Sequence, residues 1–374
     1  MKWVFWVSAM VIAYAYVGYP LLLWARSWWS PRPVMRGTAT PPVSAVMVVR
    51  NEEAVIGQKL RNLLTLEYPP EQFEVVVVSD GSTDGTVAVV SEFQKNDARM
   101  RTVVKPESRG KAAGLNDAIA AAQGDVLLFT DARQLIEPGA LRLLIENFSD
   151  PAVGAASGEL MLGDPASGET GRGMGLYWRV EKKIRELESA SGSVVGATGA
   201  IYCARRTLLD PLPEGTILDD VLLPMQVVRR GSRVIFDSRA RAWDSPDLGS
   251  SREFARKVRT LSGNYQLLQM APWLLGSSNT IRFEFISHKL SRLVVPFALV
   301  ALLVASLFLA APFYRVALFA QLAFYGLSLV ALGGMKIGPL ARIADPARTF
   351  VVLNSAAMVA FVNFVTGRKA VWIR

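Results

Sequence analysis

The fold class of this chain is decided by the segment Gly124-Asp-Val-Leu-Leu-Phe-Thr-Asp131-Ala-Arg-Gln134. Four consecutive apolar residues, opened by Gly-Asp and closed by Thr-Asp, are typical of a buried strand in a parallel sheet. In open α/β sheets the ligands bind just beyond the carboxyl ends of the strands, so Asp131 is predicted to present its carboxylate at that edge. On this segment alone, an aspartate that caps the following turn explains the pattern equally well.

The patterns on both sides of this segment alternate between strand and helix. Strands are predicted at Val43–Val49, Phe73–Ser79, Arg101–Val104, Asp125–Thr130 and Val153–Ser157. Helices are predicted at Glu52–Leu66, Thr86–Gln94, Lys111–Ala122 and Gly139–Phe148. Such alternation predicts an α/β domain with a doubly wound parallel sheet. The glycine patterns of dinucleotide and P-loop sites do not occur in the required places, which disfavours both kinds of site.

The pattern loosens after Gly158. A mobile loop at Gly163–Gly175 and a short strand at Ile201–Cys203 are predicted, together with strands at Val234–Phe236 and Ala240–Trp243. Helices are predicted at Leu176–Ser189, Asp219–Arg230 and Arg252–Leu268. In the last of these, Arg252, Arg256 and Arg259 are spaced to share one helix face.

Apolar segments flank this domain. Trp3–Trp24 is a charge-free run of 22 residues with Trp and Tyr at both ends, which predicts an uncleaved transmembrane anchor within residues 1–25. A proline-rich spacer (26–41) follows. Its arginines place the next domain (42–248) in the cytoplasm by the positive-inside rule. The chain is therefore predicted to cross a membrane several times, with this domain on the cytoplasmic side.

The C-terminal part contains three more apolar segments of spanning length, Leu293–Ala311, Val316–Leu332 and Thr349–Val365, within residues 293–374. Residues 249–292 are predicted to form interfacial helices, because Ile281–Arg292 has an amphipathic pattern. Three spans would place the basic tail outside, against the positive-inside rule. Either the last segment does not cross fully or the tail is an exception.

Charge and composition exclude several classes of protein. The chain has 374 residues, 51% of them hydrophobic, a mean hydropathy of +0.27 and a net charge of +9. The basic excess lies in residues 1–40 and 249–374, whereas residues 41–248 are net acidic, so nucleic-acid binding is rejected and membrane lipids are the expected partner. The single cysteine, Cys203, excludes an internal disulfide. The single histidine, His288, excludes a histidine-rich metal site and is predicted to be an interfacial side chain.

Several candidate binding residues follow predicted strands or begin predicted helices. Asp80 ends the second strand, where its carboxylate can accept a hydrogen bond from a base N–H. Lys111, at the start of a helix, offers a cation and free backbone N–H groups to an anion. Adjacent residues on a helix point about 100° apart, so Asp219 and Asp220 cannot share one proton, and we expect one to cap the helix and the other to act as a lone general base. The arginine face of the last helix suits a diphosphate or, alternatively, lipid headgroups.

In this order the motifs resemble those of the membrane-bound family 2 glycosyltransferases of the cellulose, hyaluronan and poly-N-acetylglucosamine synthase group, over about residues 42–270. The resemblance implies a GT-A fold with flanking transmembrane and interfacial helices. Arg50-Asn51-Glu52 is similar to the family's Tyr-Asn-Glu at the nucleotide pocket, and Ser79-Asp80-Gly81-Ser82 to its Asp-Asp-Gly-Ser, which implies that Asp80 binds uracil. Arg109-Gly-Lys111 with Leu115-Asn116 matches its Gly-Lys-x-x-x-Leu-Asn near the phosphates.

The later motifs extend the resemblance. Asp131-Ala-Arg133 stands where the family has Asp-x-Asp, the carboxylates that bind the sugar diphosphate and a divalent metal. Gly199-Ala200 resembles the acceptor-side glycine segment. Asp219-Asp220 matches the Glu-Asp pair on the acceptor side, whose second member is the base, so Asp220 is the favoured base. Arg256-Lys-Val-Arg259-Thr260 stands in place of Gln-x-x-Arg-Trp, with Arg256 and Arg259 on the donor diphosphate.

Three departures from the family pattern have functional consequences. Ser79 replaces an aspartate, which is expected to weaken recognition of the base only slightly. With Arg133 in place of the second aspartate, Asp131 holds Mg²⁺ or Mn²⁺ almost alone, together with diphosphate and water. The alternative is metal independence, with Arg133 neutralising the charge. Thr260 replaces a tryptophan that stacks on the acceptor sugar, which argues against long-chain processive synthesis.

The predicted function is inverting transfer from a UDP-sugar to a lipid-linked or polysaccharide acceptor for surface glycan synthesis, with a β-linkage as the product. Two alternatives stay open: transfer to polyprenyl phosphate itself, and a membrane scaffold with an inactive nucleotide-sugar pocket.

Overall fold

The computed structural model describes residues 1–163, 176–244, 250–332 and 341–368. Its eight strands are β1 (Val43–Val49), β2 (Phe73–Asp80), β3 (Met100–Lys105), β4 (Val126–Phe129), β5 (Leu135–Ile136), β6 (Val153–Leu162), β7 (Tyr202–Arg205) and β8 (Arg233–Asp244). Its helices are α1 (Lys2–Ala13), α2 (Tyr19–Trp29), α3 (Glu53–Leu64), α4 (Thr86–Asn96), α5 (Lys111–Ala121), α6 (Ala140–Glu146), α7 (Leu176–Ser191), α8 (Asp219–Arg229), α9 (Ser250–Met270), α10 (Arg282–Glu284), α11 (Ser291–Phe308), α12 (Pro312–Leu332) and α13 (Ala341–Val365). The predicted loop Gly163–Gly175 lies outside the described residues from 164 onward.

The eight strands form one sheet in the order β3-β2-β1-β4-β7-β6-β8-β5. The pairs among β1 to β4 are parallel, as the strand-helix alternation predicted. The prediction of a wholly parallel sheet is wrong, because β7 pairs antiparallel with both β4 and β6, and β5 pairs antiparallel with β8. Buried apolar runs identify strands by their burial, but the direction of each strand depends on its connections, which the runs do not reveal.

The two strands predicted at Val234–Phe236 and Ala240–Trp243 are one continuous strand, β8. The polar residues between them suggested a break. In the structure they lie at an irregularity in the pairing with β6, between the pairs Ser157–Phe236 and Glu159–Arg241. Asp237 is buried there and accepts hydrogen bonds from Asn147 Nδ2 at 3.0 Å and from Arg239 Nη2 at 2.7 Å, so its polarity is satisfied inside the strand.

Helices cover both faces of the sheet. α3 and α6 pack on one face through residues such as Leu60 and Leu144, and α5 and α8 pack on the other through residues such as Leu115 and Leu222. Both faces of the central strands are therefore buried, which explains their continuous apolar sequences. The carboxyl ends of β1, β2 and β4 meet at one edge, and the residues that follow them form the site described below.

Four helical stretches are long and apolar enough to cross a membrane: Lys2–Trp29, Arg282–Phe308, Pro312–Leu332 and Ile343–Val365. Residues Arg282–Arg292 continue without a break into α11, and the interfacial position expected for Ile281–Arg292 stays a prediction. Burial inside the protein accounts for part of the amphipathic pattern. Several polar side chains of this segment, including Glu284, Ser287 and His288, are buried inside the protein.

His288 is not an interfacial side chain, because it is only 3% exposed and bonded on both ring nitrogens. Nδ1 lies 2.8 Å from Glu188 Oε1, and Nε2 lies 2.9 Å from Glu181 Oε1. The Tyr19 hydroxyl donates to Glu188 at 2.6 Å, and Arg292 Nη1 donates to Glu181 at 2.6 Å. We name these five residues the junction cluster, since they join α2, α7 and the helix that contains α11. The hydrogen-bonded partners in this cluster are 100 or more residues apart in the sequence, so no local sequence pattern predicts them.

Candidate active site

The segment after β1 ties the ends of β1 and β2 together. Asn51 has a left-handed backbone (φ 56°), which asparagine adopts more readily than most residues. Its Oδ1 accepts a hydrogen bond from Thr83 N at 2.8 Å, and its own N–H donates to Ser82 Oγ at 3.2 Å. Asn51 therefore fixes the loop that follows β2. Its neighbour Arg50 is partly buried.

Asp80, at the end of β2, fixes the loop that leads into α5. Its carboxylate accepts hydrogen bonds from Ser108 Oγ (2.7 Å), Arg109 N (2.8 Å) and Gly110 N (2.9 Å). Gly81 allows this close approach, because a Cβ there would lie 2.5 Å from Ser108 N and the backbone is left-handed (φ 65°). In this structure Asp80 therefore determines where α5 begins.

Lys111, the first residue of α5, lies between two carboxylates. Its Nζ is 3.0 Å from Asp131 Oδ1, which follows β4, and 3.1 Å from Asp219 Oδ2, which begins α8. Burial lowers the pKa of Lys111, but the surrounding carboxylates of Asp131, Asp219 and Asp220 outweigh it, so the pKa is raised overall. Lys111 thus stays charged and joins three separate motifs.

Asp220 lies near Lys111, and its carboxylate is half-buried. Burial and the adjacent Asp219 raise its pKa to about 6, against the opposing effect of Lys111. The expectation that one of the two aspartates caps the helix is wrong: Leu218 is the N-cap, and both lie in the first turn of α8. A carboxylate with its pKa near neutrality is suited to general-base chemistry.

Gly199 lies beside both candidate carboxylates. A Cβ at this position would be 3.5 Å from Asp220 Oδ2 and 3.6 Å from Asp131 Oδ2. The loop is held against α8 because Ala197 N donates to Asp220 O at 2.7 Å. The lack of a side chain at Gly199 keeps the space between the two carboxylates open.

These motifs surround one cavity of about 520 Å³. Of the residues predicted from the sequence, its lining includes Glu52, Lys111, Asp131, Arg133, Gly199, Ala200, Asp219, Asp220, Arg256 and Arg259. Three predicted residues, Arg50, Asn51 and Asp80, lie outside the described lining. The side chain of Arg252 is outside the described residues. The roles assigned to all of these residues stay predictions.

Two more charged residues, Glu52 and Arg133, line the cavity near Asp131. Burial raises the pKa of Glu52, partly opposed by Arg133 and reinforced by Asp131. Arg133 is exposed, and Asp131 has 42% of its side chain exposed, so both are accessible to a ligand. The edge of the sheet therefore presents an accessible carboxylate, Asp131, in contact with Lys111, and Arg133 lines the same cavity.

Lys59 on α3 is a site residue that the sequence did not reveal. It is fully buried, and its Nζ donates to Thr130 Oγ1 at 2.7 Å and to Gln134 O at 2.6 Å. Thr130 Oγ1 in turn donates to Ala200 O at 2.8 Å. Lys59 thus holds both ends of the turn that presents Asp131. The only sequence signal is a lysine three residues after Ile56 on the apolar face of its helix.

We expect Lys59→Met to lower the transfer rate about tenfold while leaving the protein folded. Burial lowers the pKa of Lys59 to about 7, and methionine fills a similar volume without a buried charge, so folding is not expected to suffer. The lost hydrogen bonds free the turn that carries Asp131, and small displacements of catalytic groups are costly. The rate and the melting temperature are measured beside Lys95→Met, which changes an exposed lysine. An unchanged rate would contradict the positioning role.

The far end of the cavity is built from α7, with Trp178, Lys182 and Arg185 in its lining. Arg185 Nη1 donates to Thr198 Oγ1 at 2.6 Å, and Nη2 donates to Ser157 Oγ at 3.0 Å. Its guanidinium also lies 4.6 Å from the centre of the Phe236 ring. The sequence predicted α7 as a charged helix without assigning it to the site. The spacing of three and four residues between its lining members is the signal that was available.

The carboxylates of the described residues do not form a ready-made metal site, since no group of three or more His, Cys, Asp or Glu residues among them is arranged to hold an ion. A divalent ion that is shared with a substrate diphosphate needs only one or two protein carboxylates. The accessible Asp131 fits that requirement. The residues therefore fit an ion that binds together with a nucleotide, and not a permanently held one.

Comparisons with known proteins identify the class to which this fold and site belong. Residues 44–210 match the family model described as glycosyl transferase family 2. A mannosyltransferase from Pyrobaculum calidifontis, solved in complex with GDP-Man and Mn²⁺, superposes with a TM-score of 0.75 over 98% of this chain and 100% of that chain, at 24% identity. Residues 44–210 are therefore similar to a family 2 glycosyltransferase domain, and the fold is GT-A, which confirms the resemblance noted from the motifs.

The curated relatives of this chain include a glycolipid synthase and a polysaccharide synthase. Beta-monoglucosyldiacylglycerol synthase of Synechocystis is 28% identical over 204 residues, which cover 52% of this chain and 43% of that protein. Poly-beta-1,6-N-acetyl-D-glucosamine synthase of Staphylococcus epidermidis is 24% identical over 236 residues, which cover 62% of this chain and 56% of that protein. The matched region is about half the length of each relative.

Proposed function

We propose that this protein transfers a sugar from a UDP-sugar, with inversion, to a lipid-linked or polysaccharide acceptor at the cytoplasmic face of the bacterial inner membrane. This proposal rests on one observation: Asp131, Asp220, Lys111 and Arg259 line the same cavity. Four stretches of spanning length support a reaction next to the bilayer. The product is a β-linked surface glycan or glycolipid.

Asp220 acts as the general base. It removes the proton from the acceptor hydroxyl as the oxygen attacks the anomeric carbon and the bond from that carbon to the diphosphate breaks. Lys111, Arg133 and Arg259 stabilise the negative charge on the departing diphosphate. A divalent ion at Asp131, when bound, neutralises part of the same charge. Attack from the side opposite the leaving group gives a β-linkage from an α-linked donor.

The nucleoside lies beyond the diphosphate, toward the ends of β1 and β2. Asp80 accepts three hydrogen bonds from the protein, and a carboxylate has about four acceptor positions, so one stays available for a base N–H. Asn51 fixes the neighbouring loop, while Arg50 and Glu52 complete this end. Thr260, in place of a stacking tryptophan, favours transfer of one or a few sugars over long chains.

The direct test is release of nucleoside diphosphate by the purified full chain in phospholipid nanodiscs. UDP-glucose, UDP-N-acetylglucosamine, UDP-galactose and GDP-mannose are offered with diacylglycerol, polyprenyl phosphate or a β-glucan oligosaccharide. Release with a UDP donor and a hydroxyl acceptor supports the proposal, whereas release only with polyprenyl phosphate favours transfer to lipid phosphate itself. A scaffold predicts no release with any pair.

Removal of divalent ions is expected to lower the transfer rate about tenfold without abolishing it. The three nearby cations, Lys111, Arg133 and Arg259, already stabilise the leaving diphosphate, so the ion supplies part of the charge and not all of it. Rates are compared in EDTA, Mg²⁺ and Mn²⁺. In EDTA the fractional loss in Arg133→Gln is expected to exceed that of the unaltered protein. Complete loss in EDTA with no further effect of Arg133→Gln would contradict this division of charge.

A further inference from the structure

The cavity continues past the candidate base to α7, and nothing assigned so far uses that end. We name it the α7 end; its lining residues are Glu159, Trp178, Lys182, Arg185 and Phe236. Arg185 is bonded to Thr198, the residue before Gly199, so the α7 end begins next to the gap between Asp131 and Asp220. An acceptor with its hydroxyl at Asp220 would extend into it.

The anion-binding group at the α7 end is Arg185, which has carboxylates in its surroundings but no direct ion pair among the described residues. Glu159 is paired with Lys182 at 2.8 Å, and the adjacent Glu181 is paired with His288 and Arg292. Arg185, in contrast, bonds only hydroxyl oxygens, and no carboxylate among the described residues lies within 4.0 Å of its nitrogens. A half-buried guanidinium without an ion pair keeps N–H groups for a ligand, and its planar fork matches the oxygens of a phosphate.

The beginning of α7 exposes three apolar side chains: Trp178 lines the cavity, and Leu176 and Val180 lie together on the opposite face of the helix. Leu176, Trp178 and Val180 are 51%, 38% and 39% exposed. The junction cluster fixes α7 against Tyr19 of the first apolar helix and His288 and Arg292 of the second. An amphiphile with its headgroup in the cavity can therefore contact Trp178 at the cavity lining with its apolar chain.

We propose that the acceptor is an anionic lipid headgroup that carries a free hydroxyl close to a phosphate. Arg185 binds the phosphate, and Asp220 takes the hydroxyl proton. The hydroxyl oxygen bonds to the anomeric carbon, and the electron pair of the broken carbon–oxygen bond leaves on the nucleoside diphosphate. This inference rests on the proposed function and specifies its acceptor.

This inference is tested with two acceptor lipids, one that has a phosphate and one that lacks it. The full chain is assayed with phosphatidylcholine vesicles that contain either phosphatidylglycerol, which has hydroxyls and a phosphate, or diacylglycerol, which has a hydroxyl only. We expect KM for phosphatidylglycerol to be at least about tenfold lower than for diacylglycerol. Soluble glycerol 3-phosphate should be a poorer acceptor than the lipid. Equal use of both lipids, or of the soluble phosphate and the lipid, would overturn the inference.

Variants separate binding of phosphate from positioning of the loop. Arg185→Gln is expected to raise KM for phosphatidylglycerol roughly 10- to 100-fold and to change KM for diacylglycerol little. Lys183→Gln, on the exposed side of α7, is the control and should change neither. If Arg185→Gln lowers kcat equally for both lipids, Arg185 only positions Thr198 and the inference is wrong.

The choice of acceptors also distinguishes failure of this inference from failure of the proposed function. Sugar transfer to diacylglycerol or to an oligosaccharide, with none to phosphatidylglycerol, leaves the proposed function standing and refutes the anionic acceptor. Absence of nucleotide release with every donor and acceptor, including water, refutes both.

Discussion

Replacement of Asp220 by asparagine is expected to lower sugar transfer by about 10²- to 10⁴-fold and to leave donor binding nearly unchanged. Asparagine has the shape of aspartate but cannot take the acceptor proton. Asp220 is also the carboxylate whose pKa burial and Asp219 raise to about 6, so at neutral pH it is an ionised base of useful strength. Transfer is measured as nucleotide release, and binding as the Kd for UDP by calorimetry.

Asp210→Asn is the matched control, since Asp210 lies on the surface in an ion pair with Arg230. It should keep full activity. A second comparison uses Asp219→Asn, which removes the partner of Lys111 and keeps the base. Its rate should fall less than that of Asp220→Asn. If the order is reversed, Asp219 is the base and the assignment of the two aspartates must be exchanged.

The sequence predicted the parallel half of the sheet almost residue by residue. β1 was predicted with its observed bounds, and the neighbouring strands were placed within a few residues, because a strand buried on both faces is a short apolar run between turn residues. The other half of the sheet, which mixes parallel and antiparallel pairs, was predicted less well. The break expected inside β8 was an irregularity opposite β6, where Asp237 is satisfied by Asn147, a residue 90 positions away.

In the site, too, residues placed by the local sequence pattern were predicted, and residues whose partners are distant in the sequence were not. Residues that directly follow strands, such as Asp131, were predicted because the topology brings those positions to one edge of the sheet. Lys59, Arg185 and His288 were missed or misplaced, since each gains its role from partners brought close only by the fold. Lys59 contacts Thr130 across 71 residues, and His288 contacts Glu188 across 100. Such side chains resemble ordinary helix residues in the sequence.

Lys111→Met is expected to lower transfer by about 10²- to 10³-fold, the size of effect seen when one group that stabilises a developing oxyanion is removed. Lys111 Nζ lies within 3.1 Å of both Asp131 and Asp219, so its loss leaves the carboxylates of α8 and of the turn after β4 without the lysine that pairs with both of them. The same carboxylates then repel the donor diphosphate. The Kd for UDP should rise, which distinguishes this variant from Asp220→Asn.

The pH profile gives a second, independent measurement on the same variant. A general base works in its ionised form, so the rate of the unaltered protein should fall as the pH drops through about 6, the pKa of Asp220, and level off above it. Lys111 opposes the rise in that pKa, so its removal should move the acidic limb of the profile to higher pH. Lys111→Arg keeps the charge and should keep the acidic limb in place. An acidic limb that does not move in Lys111→Met would show that the titrating group is not Asp220, because that carboxylate lies next to the cation that was removed.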